Sequence, residues 1–340
     1  MKKRNFYLLS VLLIVVLLGS CYKSKEGVEW SRYYKKGDLT LKVNGKEMKN
    51  GEVNLEKKDG KLKLVLKHVV LGENDEAVIF RNLTADGNNF KGEVANSLRK
   101  VEVEGNFRDE EMTLNVNILR ISPLSGKWEV AEWEYADGEG RKSTLPYAWI
   151  KFEAKAEDGM IEIPELGKLS AEDLLESAHT KLSIGFKTLV EYVKADFSES
   201  GNLKISYKEV ENNKANVLEL EYFIRPENKL YLAMSEEFIQ KMIQKLKEKD
   251  TKSNSITTLP GLYRGEGYMA LPVLYKEDAG NTVFYVTGEM AAPYLSIIGE
   301  TVIPRLEDEE EKEDYIEKLK FVKGIFEQLK SVEFGLAFKK

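Results

Sequence analysis

In three runs between residues 39 and 118 the chain alternates apolar and polar residues with a period of two. Leu39, Leu41 and Val43 alternate with Thr40, Lys42 and Asn44, and Leu62, Leu64 and Leu66 sit among Lys61, Lys63 and Lys67. Met112, Leu114, Val116 and Ile118 alternate with Thr113, Asn115 and Asn117. Successive side chains of a strand point to opposite faces, so this pattern selects strands with one buried and one solvated face. Between the runs lie Asn44-Gly45, Asn50-Gly51, Asp59-Gly60 and Asp86-Gly87. Such pairs supply the positive φ angles that tight hairpins require. The spacing predicts about eight short strands, as in an all-β sandwich or barrel.

The segment before this region reads differently. Met1-Lys2-Lys3-Arg4 is basic, Phe6 to Leu18 is almost wholly apolar, and Leu18-Gly19-Ser20 leads into Cys21. A basic start, a short apolar run and small residues at the cleavage point describe a secretory signal peptide. The run is shorter than the about 20 residues a membrane-spanning helix needs. Leu18, Gly19, Ser20 and Cys21 resemble the bacterial lipobox. That resemblance implies cleavage before Cys21, acylation of its thiol, and a cell-envelope protein lipid-anchored most naturally in the outer membrane. The weaker alternatives are an ordinary signal peptide with an incidental Cys, or an uncleaved anchor. The expected organisation is a signal peptide over 1–20, a polar tether over 21–29, a first domain over 30–135 and a second over 136–340.

Within the first domain, Tyr34 to Gly45, Lys61 to Gly72, Gly105-Asn106-Phe107 and Met112 to Val116 look like the calycin-like β-barrel domain of Bacteroidetes lipoproteins. The resemblance covers about a third of the chain and implies an eight-stranded, lipocalin-like barrel with no family activity or site residue to carry over. An eight-stranded barrel is just wide enough for its own side chains or one small ligand. The inward candidates are all Leu, Val, Ile and Met, which favours a filled core. Gly126-Lys127-Trp128 echoes the Gly-x-Trp of lipocalins, but at the end of this domain rather than on its first strand, and Trp128 is expected to pack at the domain junction.

After Tyr135 the pattern changes. Ser170 precedes Glu172 and Asp173, a helix start, and Leu174, Leu175, Ala178, Leu182, Phe186, Leu189 and Val193 recur at spacings of three or four. A stripe this wide predicts a deeply buried helix, with His179 beside it as a packing residue. Further helices are expected from Ser235, over 291–302 and over 310–330, alternating with strands. The second domain is therefore expected to be α+β, with long amphipathic helices on an antiparallel sheet.

Function is less legible. The chain carries 51 Lys and Arg against 57 Asp and Glu, a net charge of −6, which leaves no basic footprint for nucleic acid. One Cys and two His argue against His- and Cys-based metal sites. No phosphate loop, Gly-x-Ser-x-Gly elbow, His-Glu-x-x-His or Cys-x-x-Cys occurs. Neither a catalytic residue, a metal ligand nor a cofactor is expected, and the chain reads as non-enzymatic. Tyr263, Arg264 and Tyr268, set among glycines, are candidates for a binding lip. The leading expectation is a membrane-anchored envelope protein that binds an apolar small molecule or lipid in its second domain. The alternative is a structural or protein-interaction module with filled cores, whose partner is another envelope protein.

Overall fold

The computed structural model describes residues 28–72, 77–108, 110–163, 167–235, 238–239, 262–265, 267–297 and 309–340. Leu18, Gly19, Ser20 and Cys21 lie outside the described residues, as does most of the helix expected from Ser235. Two compact units emerge.

The first unit is built on a nine-stranded sheet. Its strands are β1 (Val28–Tyr34), β2 (Leu39–Val43), β3 (Lys46–Met48), β4 (Glu52–Lys58), β5 (Lys61–Lys67), β6 (Val78–Asp86), β7 (Asn89–Ala95), β8 (Arg99–Arg108) and β9 (Glu111–Arg120). Their order is β1-β4-β5-β6-β7-β8-β9-β2-β3. The alternation read from sequence is the burial pattern: Leu62, Leu64 and Leu66 are buried on β5, and Met112, Leu114 and Val116 on β9.

Connectivity forces this sheet to curl. Seven inter-strand steps separate β1 from β2, about 34 Å if the sheet were flat. Only residues 35–38 join Tyr34 to Leu39, a reach of about 18 Å. The eight-stranded barrel expected here is thus corrected to a curled nine-stranded sheet in which β2 runs parallel to β9. On its inner face the Phe90 ring occupies the space over Gly105, where a Cβ would collide with it.

The second unit begins with β10 (Gly126–Val130), β11 (Glu132–Ala136), β12 (Lys142–Pro146), β13 (Ala148–Ala154), β14 (Met160–Ile163) and β15 (Gly167–Ser170). Helix α1 (Ala171–Leu189) follows, then β16 (Val190–Phe197), β17 (Asn202–Glu209), β18 (Ala215–Arg225), β19 (Lys229–Ser235), β20 (Tyr263–Gly265), β21 (Tyr268–Asp278) and β22 (Asn281–Thr287). The chain closes with α2 (Gly288–Ile297), α3 (Glu309–Gln328) and β23 (Leu329–Lys339).

The expectation of an α+β domain with long amphipathic helices on a sheet is overturned: the structure is mostly β, with large curled sheets and few helices. Eight strands run β10-β16-β17-β18-β19-β21-β22-β23, and β23 pairs back to β10, closing an antiparallel ring. A ring buries its apolar face against itself, so it needs no layer of helices to cover that face. The α1 stripe is accordingly not deeply buried. Ser183 is the buried residue of this helix, and Leu189 is 68% exposed. Gly126–Val130, inside the span assigned from sequence to the first domain, is the strand that closes the second unit's ring.

Local chemistry explains the helix that does form. Ser170 caps it by accepting from the Asp173 N–H, and Glu172 and Asp173 occupy its first turn, where the helix dipole favours negative charge. One clasp fixes it to β11 and β13: the Ser183 hydroxyl oxygen accepts from Trp133 Nε1 at 3.3 Å and from the Ala148 N–H at 3.4 Å.

Candidate functional site

The ring has a filled base and an apolar, half-buried mouth. Register fixes which side chains turn inward: Trp128 stands opposite Ala195, Ala195 opposite Ile205, and Ile205 opposite Leu218. Farther round, Tyr222 faces Leu232, which faces Leu271, and Tyr275 faces Phe284, which faces Leu336.

At the base, Trp128, Phe197, Leu203, Tyr222, Leu230 and Phe338 form one buried cluster. Rings meet across the interior from strands that are not neighbours. Phe197 of β16 stacks on Phe284 of β22 at 5.8 Å and 10°, and Trp128 of β10 meets Phe284 edge-on at 6.4 Å. The segment before β10 plugs this end. Leu124 is buried, Trp128 Nε1 donates to the Leu124 carbonyl at 2.6 Å, and Lys340 Nζ donates to the Pro123 carbonyl at 3.0 Å while lying 4.8 Å from the Trp128 ring centre.

The loop between β16 and β17 completes the base. Tyr222 donates its hydroxyl to the Ser198 carbonyl at 2.8 Å, and burial raises its pKa above the ordinary tyrosine value. Gly201 has φ +86°, and a Cβ there would lie 3.1 Å from Arg120 Nε and 3.3 Å from the Tyr222 carbonyl oxygen. The position needs glycine for its backbone and for its space.

Toward the other end, inward side chains stop being sealed. Val193, Tyr207, Leu218, Met234, Met269 and Val286 lie on the same face as the base cluster, by register and by strand alternation, yet each is only half-buried. The lining is apolar except for Tyr207 and Asn216, which stand opposite one another. Such a lining, apolar with a few placed polar groups, is the composition of a small-molecule site. Among the described residues no group of three or more His, Cys, Asp or Glu is gathered as a metal would require, and no helix is long and apolar enough to cross a membrane.

Residues singled out from sequence fall elsewhere. Tyr263 and Tyr268 are brought together, but packed rather than presented. With Phe223, Tyr231, Ala233, Ala270 and Leu71 they form a cluster separate from the ring interior, in which Tyr268 is 8% exposed. Phe223 stacks on Tyr231 at 4.9 Å and 2°, and the Arg225 guanidinium lies 4.4 Å from the Tyr263 ring centre. The Tyr268 hydroxyl accepts from the Gly72 N–H at 2.9 Å, and burial raises its pKa well above the usual value. Arg264 is exposed. His179 packs between Trp133 at 4.6 Å and Tyr147 at 5.0 Å, and burial lowers its pKa.

The ring and its mouth were missed from sequence; the one local signal of the ring was Gly126-Lys127-Trp128, which opens its first strand and contributes to its base. No protein-family model, curated protein or solved structure matches the chain.

Proposed function

We propose that this is a non-enzymatic, lipid-anchored envelope protein that holds an apolar small molecule or lipid in the mouth of the second unit's ring. The supporting observation is the gradient of burial along one continuous inward face, from a base packed with aromatic rings to a mouth lined by half-buried Val, Leu, Met and Tyr. Burying apolar surface is favourable by about 25 cal/mol per Å², so an apolar guest seated on these side chains gains affinity without any further device. The α1 stripe no longer supports the reading, because much of it faces solvent. The anchor is assigned to Cys21 and the location to the cell envelope, most naturally the outer membrane, on the lipobox resemblance alone.

Solvent extraction of the purified full chain, followed by mass spectrometry, tests the reading. A stoichiometric apolar compound is expected, and its loss is expected in Leu218→Asp. Repeated preparations without a guest, together with no uptake of added fatty acid, would leave the structural or protein-interaction module as the better account. Crosslinking in cells would then capture a reproducible protein neighbour.

A further inference from the structure

On the nine-stranded sheet of the first unit, a trough of about 270 Å³ crosses β6, β7, β8 and β9. Strand alternation builds its two sides. Across the β6–β7 hairpin Thr84 stands opposite Lys91, and Asp86 opposite Asn89. The polar rows continue through Glu104 and Asn106 of β8 and through Thr113 and Asn115 of β9, a strand that buries Met112 and Leu114 on its other face. Between the rows the floor is Ala85, Phe90 and Gly105. Phe90 turns inward with its ring over Gly105, and glycine has no side chain, so neither residue stands up between the rows.

Polar side chains on neighbouring strands commonly satisfy one another, as Glu56 and Lys63 do across β4 and β5 of this sheet. In the trough they do not. Among the described residues Asp86, Lys91 and Glu104 form no ion pair, and the bond that spans the trough side chains runs from Asn106 Nδ2 to Asn89 Oδ1 at 2.6 Å. That bond orients both amides, leaving the Asn89 amino group as a donor beside the Asn106 carbonyl oxygen as an acceptor. Two carboxylates that accept and one ammonium that donates surround this pair.

The lining selects the chemistry of its ligand. One lysine against two carboxylates disfavours an anion. The described residues gather no metal-binding group, and an apolar guest would leave the polar side chains unanswered. A sugar ring meets each requirement. It is uncharged, every hydroxyl both donates and accepts, and its C–H face suits the floor between the rows.

We propose that the trough binds a neutral saccharide of one or two pyranose rings, whose adjacent hydroxyls bond to the Asn89–Asn106 pair and to Asp86 and Glu104. The site is independent of the ring in the second unit. Its volume lies just below the about 300 Å³ at which drug-sized pockets begin, and most of its side chains are exposed, so a dissociation constant of about 1 mM is expected.

Saturation-transfer difference NMR on the full chain in lipid nanodiscs, with protein-free nanodiscs subtracted, provides the test. The probes are methyl α-mannopyranoside, methyl β-galactopyranoside, methyl β-glucopyranoside and N-acetylglucosamine, with cyclohexanol as the control. At least one sugar is expected to titrate near about 1 mM, and cyclohexanol to show no transfer. Asn106→Leu/Glu104→Ala is expected to weaken that sugar at least about tenfold, while its thermal midpoint shows that it is folded. Leu218→Asp, in the second unit, is expected to leave sugar binding unchanged, which separates this site from the ring reading. Transfer to none of the sugars, cyclohexanol binding as well as they do, or binding that survives the double substitution overturns the proposal.

Discussion

Trp128→Ala probes the ring where its closure is thinnest. Ladder pairing holds β10 over four residues on one side and two on the other, so the tryptophan side chain is the main tie between this strand and the core. It contributes in three ways. The ring is buried at 6% exposure, its Nε1–H is donated to Leu124, and its face carries the Lys340 ammonium. Truncating a buried tryptophan costs about 3–5 kcal/mol, a lost hydrogen bond about 1 kcal/mol, and an exposed cation–π contact about 0.5–1 kcal/mol. Trp128→Ala is therefore expected to lose about 4 kcal/mol, Trp128→Phe about 1–2 kcal/mol and Lys340→Ala under about 1 kcal/mol. In a unit of this size each kcal/mol moves the midpoint by about 2–4 °C, so the alanine variant should melt about 12 °C lower. Differential scanning calorimetry with near-ultraviolet circular dichroism on the full chain reads the change. A loss below about 1 kcal/mol in Trp128→Ala, or a phenylalanine variant as damaged as the alanine one, would refute the packing described for the base.

Other expectations follow from single contacts. Gly335 stands opposite Tyr285, and a Cβ there would fall on the Phe284 carbonyl oxygen, so Gly335→Ala should cost about 3 kcal/mol and lower the soluble yield; a neutral result would mean the strands lie farther apart. Ser183→Ala leaves the Trp133 and Ala148 donors unanswered and should cost about 1–3 kcal/mol in urea unfolding, which an unchanged midpoint would contradict. His179 has its pKa lowered by burial from 6.5, so the unfolded chain binds its proton more readily. The resulting stability is complete above pH 6.5 and is lost as pH falls toward the folded-state value. His179→Phe should flatten that part of the stability profile, and an identical slope in both proteins would exclude His179 as its source. Leu189→Ser, at a 68% exposed site, should shift stability by less than about 0.5 kcal/mol, and a larger loss would show that this residue is covered.

How much of this was legible in the sequence depends on the range of the interaction. Alternation and hairpin glycines are local, and they located Leu62–Leu66 and Met112–Ile118 as strands with one buried face. The Ser170 cap and the acids after it located the start of α1 for the same reason. Helix periodicity over Leu174 to Val193, by contrast, reports only that apolar residues share a stripe. It does not say that another element covers them, and here Leu182, Ile184 and Leu189 remain exposed. Tyr263 and Tyr268 looked like a lip because glycines flank them, but their partners Phe223, Tyr231 and Gly72 are remote in sequence. The same distance hid the mouth, whose inward residues come from β16, β17, β18, β19, β21 and β22.

The sequence by itself carried a basic and apolar start whose end at Cys21 resembles a lipobox, strand alternation in the first half, a net charge of −6, and an inventory of one Cys and two His. These follow from composition and from spacings of a few residues. Only the tertiary structure decided that Gly126–Val130 closes an eight-stranded ring in the second unit and that Trp128 seals its base. Ring closure is a pairing between the residues near 128 and those near 338. No local pattern encodes such a pairing, because its free energy exists only once all the intervening strands have curled to bring the two edges together.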